Sequence, residues 1–228
     1  MITTDAANDT TENRSSGGSI PPLGTNPWFP RLAAALIACA AWLGLTLQFL
    51  ATYRHVGSAI AALWILADYF TILTNLVIAT LFTGIAFSGA RAPRSLAGLT
   101  LAILLVGIVY ALLLRPIDHP QGLAYAANVI LHLVTPVLVP LFWLAAVRKG
   151  ALRPLDPFVF AAFPLIYFVY AMARGVAYGH YPYPFFNAAK IGWPQTFVNA
   201  GLIAAGFFIG GYVLLALDRG LRALAARI

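Results

Sequence analysis

The stretch AIAALWILADYFTILTNLVIATLFTGIAF, residues 59–87, decides the fold. As a helix it is long enough to cross a bilayer, since about 20 residues at about 1.5 Å each span the hydrocarbon. Yet Asp68, Thr71, Thr74 and Asn75 interrupt it at its middle. An ionisable group in hydrocarbon is costly, so it faces a bundle interior or a wet cavity and marks function. Five further apolar runs, 31–53, 96–115, 123–147, 158–178 and 193–217, have the same character. They carry Gln48, Asn128, His132, Arg174 and Asn199.

Composition makes this a membrane protein. Of 228 residues, 61% are hydrophobic and 9% charged, too few charges for a soluble domain's surface. The expected fold is all-α: a polytopic membrane protein with six transmembrane helices in one bundle over 31–217. Residues 1–30, rich in Thr, Asn, Ser, Gly and Pro, read as a disordered polar tail. They carry Asp5, Asp9 and Glu12 and lead to no A-x-A site, unlike a secretory leader. Residues 218–228 read as a short basic cytoplasmic tail. Cys39 is the single cysteine, so no intramolecular disulfide forms, and it reads as a small core residue.

Orientation follows from the loops. Arg14, Arg31, Arg91, Arg94, Arg148, Lys149, Arg153, Arg219, Arg222 and Arg227 fall on one side; Arg54, Arg115, Arg174 and Lys190 fall on the other. This bias puts both termini in the cytoplasm of a multi-pass protein of the cell's inner (plasma) membrane. It also accounts for the net charge of +7 without nucleic acid as a partner. Depth then follows from the helical rise. Asp68 lies ~14 Å from the outer surface, Thr71 ~18 Å, Asn128 ~8 Å, His132 ~14 Å and Arg174 ~6 Å. Gln48 and Asn199 fall in the same outer half, whereas the inner halves are almost wholly apolar. A polar cavity opening to the outer leaflet fits this distribution.

Spacing groups these residues. Asp68, Thr71 and Asn75 stand at i, i+3 and i+7, one face of a helix, with Thr74 beside them. Asn128 and His132, at i and i+4, share a second face, and Tyr167, Tyr170 and Arg174 a third. A membrane threonine commonly bonds its own i−4 carbonyl or packs against a neighbour. A lone buried histidine is often structural. Asp68 is harder to set aside, because a carboxylate there needs a cationic partner such as Arg174 or His132. The tyrosines serve either as cavity wall or as interfacial belt. No metal site is expected: one histidine lies within the spans and no HExxH or His/Cys cluster exists. Haem held by paired histidines fails for the same reason, so no cofactor is implied. The segment 180–187, HYPYPFFN, cannot be regular helix around Pro182 and Pro184 and reads as an aromatic lid or an interfacial loop.

Three of these segments resemble a known family. They are Tyr69-Phe-Thr71-Ile-Leu-Thr74-Asn75-Leu, Asn128-Val-Ile-Leu-His132 with Pro136 beyond it, and Tyr183-Pro-Phe-Phe with Gly192 downstream. Together, over about 31–217, they resemble a bacterial six-span (Pr6Pr-like) family related to the eukaryotic FAR-17a/androgen-induced intramembrane threonine hydrolases. Those enzymes cleave fatty acid esters of hydroxy fatty acids. The resemblance implies a nucleophile at Thr71, a catalytic histidine at His132 and a counterpart of the family's Tyr-Pro-Phe segment at Tyr183–Phe185. Three residues after the threonine, the hydrolases carry an acid where this chain has Thr74. Asp68, one turn earlier, is the available substitute, and a one-residue shift would instead make Thr74 the nucleophile.

The expected function is therefore an intramembrane Thr/His hydrolase of a membrane lipid or fatty acyl ester. Its catalytic group is Thr71 or Thr74 with His132 and Asp68. Asn75, Asn128, Tyr170, Arg174, Tyr183 and Asn199 are expected at the substrate. His132 would take the hydroxyl proton, Asn128 or Asp68 would orient the ring, and Arg174 or Asn199 would hold a carboxylate or oxyanion. The alternative is a non-enzymatic binding protein or transporter of a small amphiphile, with Asp68–Arg174 as a gating pair.

Overall fold

The computed structural model describes residues 28–227. The tail expected over 1–30 therefore lies outside the described residues except for its last three, which open the first helix. Among the described residues the chain is helical throughout and contains no strand. Six helices are long and apolar enough to cross a membrane, making this an all-α polytopic bundle. They are α1 (Trp28–Val56), α3 (Phe70–Ser88), α4 (Pro93–Val109), the pair α5 (Gly122–Val129) and α6 (Thr135–Ala146), α7 (Asp156–Tyr178) and α8 (Ala188–Ala225). A short α2 (Ala59–Leu66) precedes α3. One π-helical turn, Tyr110–Leu114, extends α4 and another, Ile130–Val134, joins α5 to α6.

The surface is that of a lipid-solvated protein. Leu36, Ile60, Phe87, Leu112, Ile166, Leu202 and Ile209 are each more than 60% exposed. Such a surface has no place in water. Inside, Phe82 and Trp143 are packed at 0% and 2% exposure among Ile78, Leu96, Ile103 and Val139.

One end of the bundle is laced together by basic side chains and buried carboxylates. Arg31 Nη2 donates to the Phe87 carbonyl at 3.1 Å, and Arg91 Nη1 to the Ala146 carbonyl at 2.6 Å. Arg94 forks onto both oxygens of Asp156, which opens α7 and also accepts from Arg153 N–H at 2.9 Å. A carboxylate at a helix N-terminus sits favourably in the helix dipole. Asp218 accepts the Leu152 N–H at 3.0 Å. Burial of the intervening loop pushes the Lys149 ammonium below its ordinary range, with Asp218 opposing that shift. These contacts tie together one end of five membrane-crossing elements and the last helix, so both ends of the described chain lie on the same side.

Two boundaries differ from the sequence reading. The expected basic tail from 218 onward is helix as far as Ala225, because Asp218, 1% exposed, is a structural member of α8. More consequentially, the expected single helix over 59–87 is broken at 67–69. Asp68 therefore precedes α3 and does not share a helical face with Thr71 and Asn75.

Broken backbone within a membrane must be satisfied by the protein itself. At the end of α2, the Leu63, Ile65 and Leu66 carbonyls accept from the N–H groups of Ala67, Asp68 and Tyr69. The remaining carbonyl, Trp64, accepts from Arg174 Nη2 at 3.1 Å. Beyond the break, the Phe70 N–H donates to the Tyr183 hydroxyl at 3.1 Å, and the Tyr167 hydroxyl donates to the Asp68 carbonyl at 2.6 Å. Side chains from α7 and the loop before α8 thus hold Thr71 in the first turn of a helix.

Candidate active site

Thr71 and His132 meet across the bundle. Thr71 Oγ1 lies 3.1 Å from His132 Nε2. The other ring nitrogen, Nδ1, lies 3.3 Å from the Asn128 main-chain carbonyl. A carbonyl only accepts, so this contact assigns the proton to Nδ1. Nε2 then presents its lone pair to the Thr71 hydroxyl. The Tyr110 ring stacks on the imidazole with centroids 4.4 Å apart and planes 27° apart, fixing its orientation. Tyr110 in turn accepts from Asn128 Nδ2 at 2.8 Å.

Both partners of this stack lie in the π-helical turns. Such turns frequently occur at functional positions. Close helix approach seats the histidine. A methyl group added to Gly44 of α1 would meet Leu131 Cδ2 at 2.7 Å, and one added to Gly107 of α4 would meet Pro136 Cβ at 2.8 Å. At about His132, ten residues into a span that begins at Gly122, the rise gives a depth of about 15 Å, close to the bilayer centre.

The wide turn also explains Asn75. In a π-helical register the Leu131 carbonyl would accept from residue 136, but Pro136 has no N–H. Asn75 Nδ2 reaches that carbonyl at 3.3 Å and its own Thr71 carbonyl at 2.9 Å. Thr135 Oγ1 donates to Asn75 Oδ1 at 2.7 Å. Asn75 is 0% exposed, so the amide expected at the substrate is instead a clamp between α3 and the π turn. Thr74 is also 0% exposed, and its hydroxyl has no hydrogen-bond partner. Between the two threonines, Thr71 is the one facing the histidine.

Asp68 and Arg174 form a separate constellation. Arg174 Nε lies 2.7 Å from Asp68 Oδ1, although the N–H is not aligned on the carboxylate as a hydrogen bond. Arg174 Nη1 donates to the Tyr170 hydroxyl at 2.7 Å, and its guanidinium lies 3.9 Å from the Trp64 ring centroid. The pair caps α2 and pins the helix break. Of the two residues expected to orient the ring, Asn128 does so, through its main-chain carbonyl and together with the Tyr110 ring, and Asp68 does not. Asn199 donates to the Phe185 carbonyl at 2.8 Å and accepts from Gln195 at 2.9 Å. It braces the short 3-10 turn Pro184–Phe186 rather than reaching Thr71.

The polar cavity expected from the sequence is, in the structure, an apolar one. A space of about 390 Å³ lies between α3, α4, α7 and α8, walled by Phe168, Phe186, Phe207, Leu105 and their neighbours. Thr71, Tyr167 and Tyr183 supply its polar groups. Asp68, Asn75, Asn128, His132, Tyr170 and Arg174 do not line it; most of their polar atoms engage the backbone or one another within the bundle. Tyr183, 7% exposed, takes the Phe70 N–H with its hydroxyl oxygen and adjoins Thr71.

Tyr110, Thr135 and Trp64 escape a sequence reading. An aromatic or threonine in an apolar run gives no sign that it will stack on a histidine or bridge two helices. The π turns have no local signature apart from Pro136.

No family model, curated protein or solved structure matches this chain. Fold and site together define a polytopic helical membrane protein with a threonine–histidine pair whose threonine stands at the wall of an apolar cavity.

Proposed function

We propose that the chain is an intramembrane hydrolase of fatty acyl esters, with Thr71 as nucleophile and His132 as general base. The observation that carries this reading is the 3.1 Å Thr71 Oγ1–His132 Nε2 contact beside a cavity of acyl-chain character. A threonine hydroxyl is a weak nucleophile until a positioned base accepts its proton. Here the base is aimed by its Nδ1 contact and its stacked ring, a main-chain carbonyl standing where other hydrolases place a carboxylate.

The steps balance as follows. Thr71 Oγ1 bonds to the ester carbonyl carbon as its proton passes to His132 Nε2. The carbon–alkoxy bond then breaks, and the alkoxide takes that proton to leave as an alcohol. Water attacks the acyl-threonine, giving a proton to His132, and the Thr71 oxygen leaves with it as the carboxylic acid is released. Tyr183 is the donor placed to meet the developing oxyanion, since its oxygen is engaged by Phe70 N–H and its proton can turn toward Thr71. Arg174 and Asn199 are engaged elsewhere. The reading as a binding protein or transporter of an amphiphile draws on the same cavity but gives the Thr71–His132 contact no role.

The test is ester hydrolysis by the protein in lipid nanodiscs, with an octanoyl fluorogenic ester and an alkyl fluorophosphonate label. Wild type is expected to turn over and be labelled, and Thr71→Ala and His132→Ala to do neither. Full turnover in both variants would refute the proposal.

A further inference from the structure

A second apolar cavity, about 590 Å³, runs between α4 and α8. It shares Leu105, Val109, Phe185, Ile203 and Phe207 with the cavity at Thr71. Those five side chains are therefore the partition between two compartments. Phe207, one of them, is 4% exposed. The groove's outer wall faces lipid: Ile108 is 55% exposed, Leu112 69% and Leu202 68%. Among the described residues Asn199 is its only polar lining residue, and its amide is already engaged. A space of this kind offers nothing to a headgroup, an ion or a peptide. It fits an alkyl chain.

We infer that the α4–α8 groove receives the distal half of a long acyl chain whose ester lies at Thr71, with Phe207 and Phe185 as the partition that it passes. The inference rests on the proposed hydrolase reading and adds a chain-length selector to it. A short chain is housed entirely in the first cavity. A long one has to displace the aromatic partition and continue along α8, where burial of each further methylene adds to binding.

Two glycines on α8 allow the compartments to be closed separately. Nothing lies within 4 Å of a methyl group added to either Gly201, in the first cavity, or Gly206, in the groove. Both are helical and neither touches the Thr71–His132 pair. Gly206→Phe adds an aromatic ring at the groove and Gly201→Phe one at the first cavity, each from a Cβ position with open space around it.

The experiment compares octanoyl and hexadecanoyl esters in nanodiscs. It also maps photo-crosslinks from a hexadecanoic acid carrying a terminal diazirine. Gly206→Phe is expected to lower kcat/KM for the hexadecanoyl ester by about tenfold or more while leaving the octanoyl ester within about twofold, as a site that loses room for several methylenes should. Gly201→Phe is expected to lower both. Retained octanoyl turnover also reports that the Gly206 variant is folded, and Gly206→Leu provides a smaller filling if it is not. Equal loss or equal retention of both chain lengths in Gly206→Phe would overturn the inference while leaving the hydrolase reading intact. Should wild type hydrolyse neither ester, that reading fails by itself and the crosslinks decide the groove. Labelling concentrated on α8 beyond Leu202, and lost in Gly206→Phe, supports the groove as a chain site; labelling spread evenly over the lipid face refutes it.

Discussion

At the basic end of the bundle, Arg94 forks onto Asp156; the carboxylate is 1% exposed, but the Arg94 side chain, 43% exposed, reaches water. In a layer between the bundle's centre and its opposite end, Asp68 and Arg174 meet with side chains 6% and 10% exposed. Four of the five buried polar side-chain atoms without a hydrogen-bond partner among the described residues belong to this middle layer: Asp68 Oδ1, Thr74 Oγ1, Asn128 Oδ1 and Arg174 Nε. The fifth is Thr100. The basic end contributes none of them. Charges there close helix ends and fasten loops, with Arg31, Arg91, Arg94 and Lys149 all donating to aligned acceptors. The middle layer keeps charged and hydroxyl groups at a helix break in hydrocarbon, where an unmet polar group costs several kcal/mol. That cost falls mainly on the part of the bundle that also holds Thr71 and His132.

The sharpest break in the comparison is chemical. Thr71→Ala or His132→Ala should remove about three orders of magnitude or more of ester turnover, the scale on which nucleophile–base pairs act, with thermal stability in detergent little changed. Any comparable loss from Asp156→Ala would erase the distinction between the layers.

Stability should divide the two ion pairs. Arg174→Ala leaves the Asp68 carboxylate buried and unpaired and uncaps the Trp64 carbonyl, a loss of about 3–5 kcal/mol. Asp156→Ala leaves Arg94 free to turn into water and should cost about 1–2 kcal/mol. Chemical unfolding in mixed micelles measures both. Equal losses would mean that the middle pair is hydrated.

Tyr183→Phe tests whether its hydroxyl serves the reaction as well as the fold. A kcat reduced about a hundredfold with KM nearly unchanged is the signature of a lost oxyanion donor. A rise in KM alone would assign Tyr183 to packing and to the Phe70 N–H.

The smallest effect belongs to Thr74. Its hydroxyl is buried and unpartnered, so Thr74→Val, which keeps the shape, should leave turnover within about twofold and stability unchanged or raised by up to about 1 kcal/mol. Loss of activity on this change would move the nucleophile from Thr71 to Thr74.

The sequence by itself determined six spans and their residue types, because about 20 consecutive apolar residues have no alternative but to cross hydrocarbon. It also singled out Thr71, His132, Asp68 and Arg174, since polar groups are conspicuous in such runs. The partners were beyond its reach. Periodicity placed Asp68, Thr71 and Asn75 on one helical face, whereas Tyr167, Tyr183 and Arg174, about a hundred residues away, satisfy the backbone of a break that places Asp68 outside that helix. Asn75 answers a carbonyl orphaned by Pro136, sixty-one positions on. Local pattern reports which groups must be satisfied inside the membrane, and only tertiary packing decides which groups satisfy them. That choice left Thr71 facing His132 at the wall of an apolar cavity.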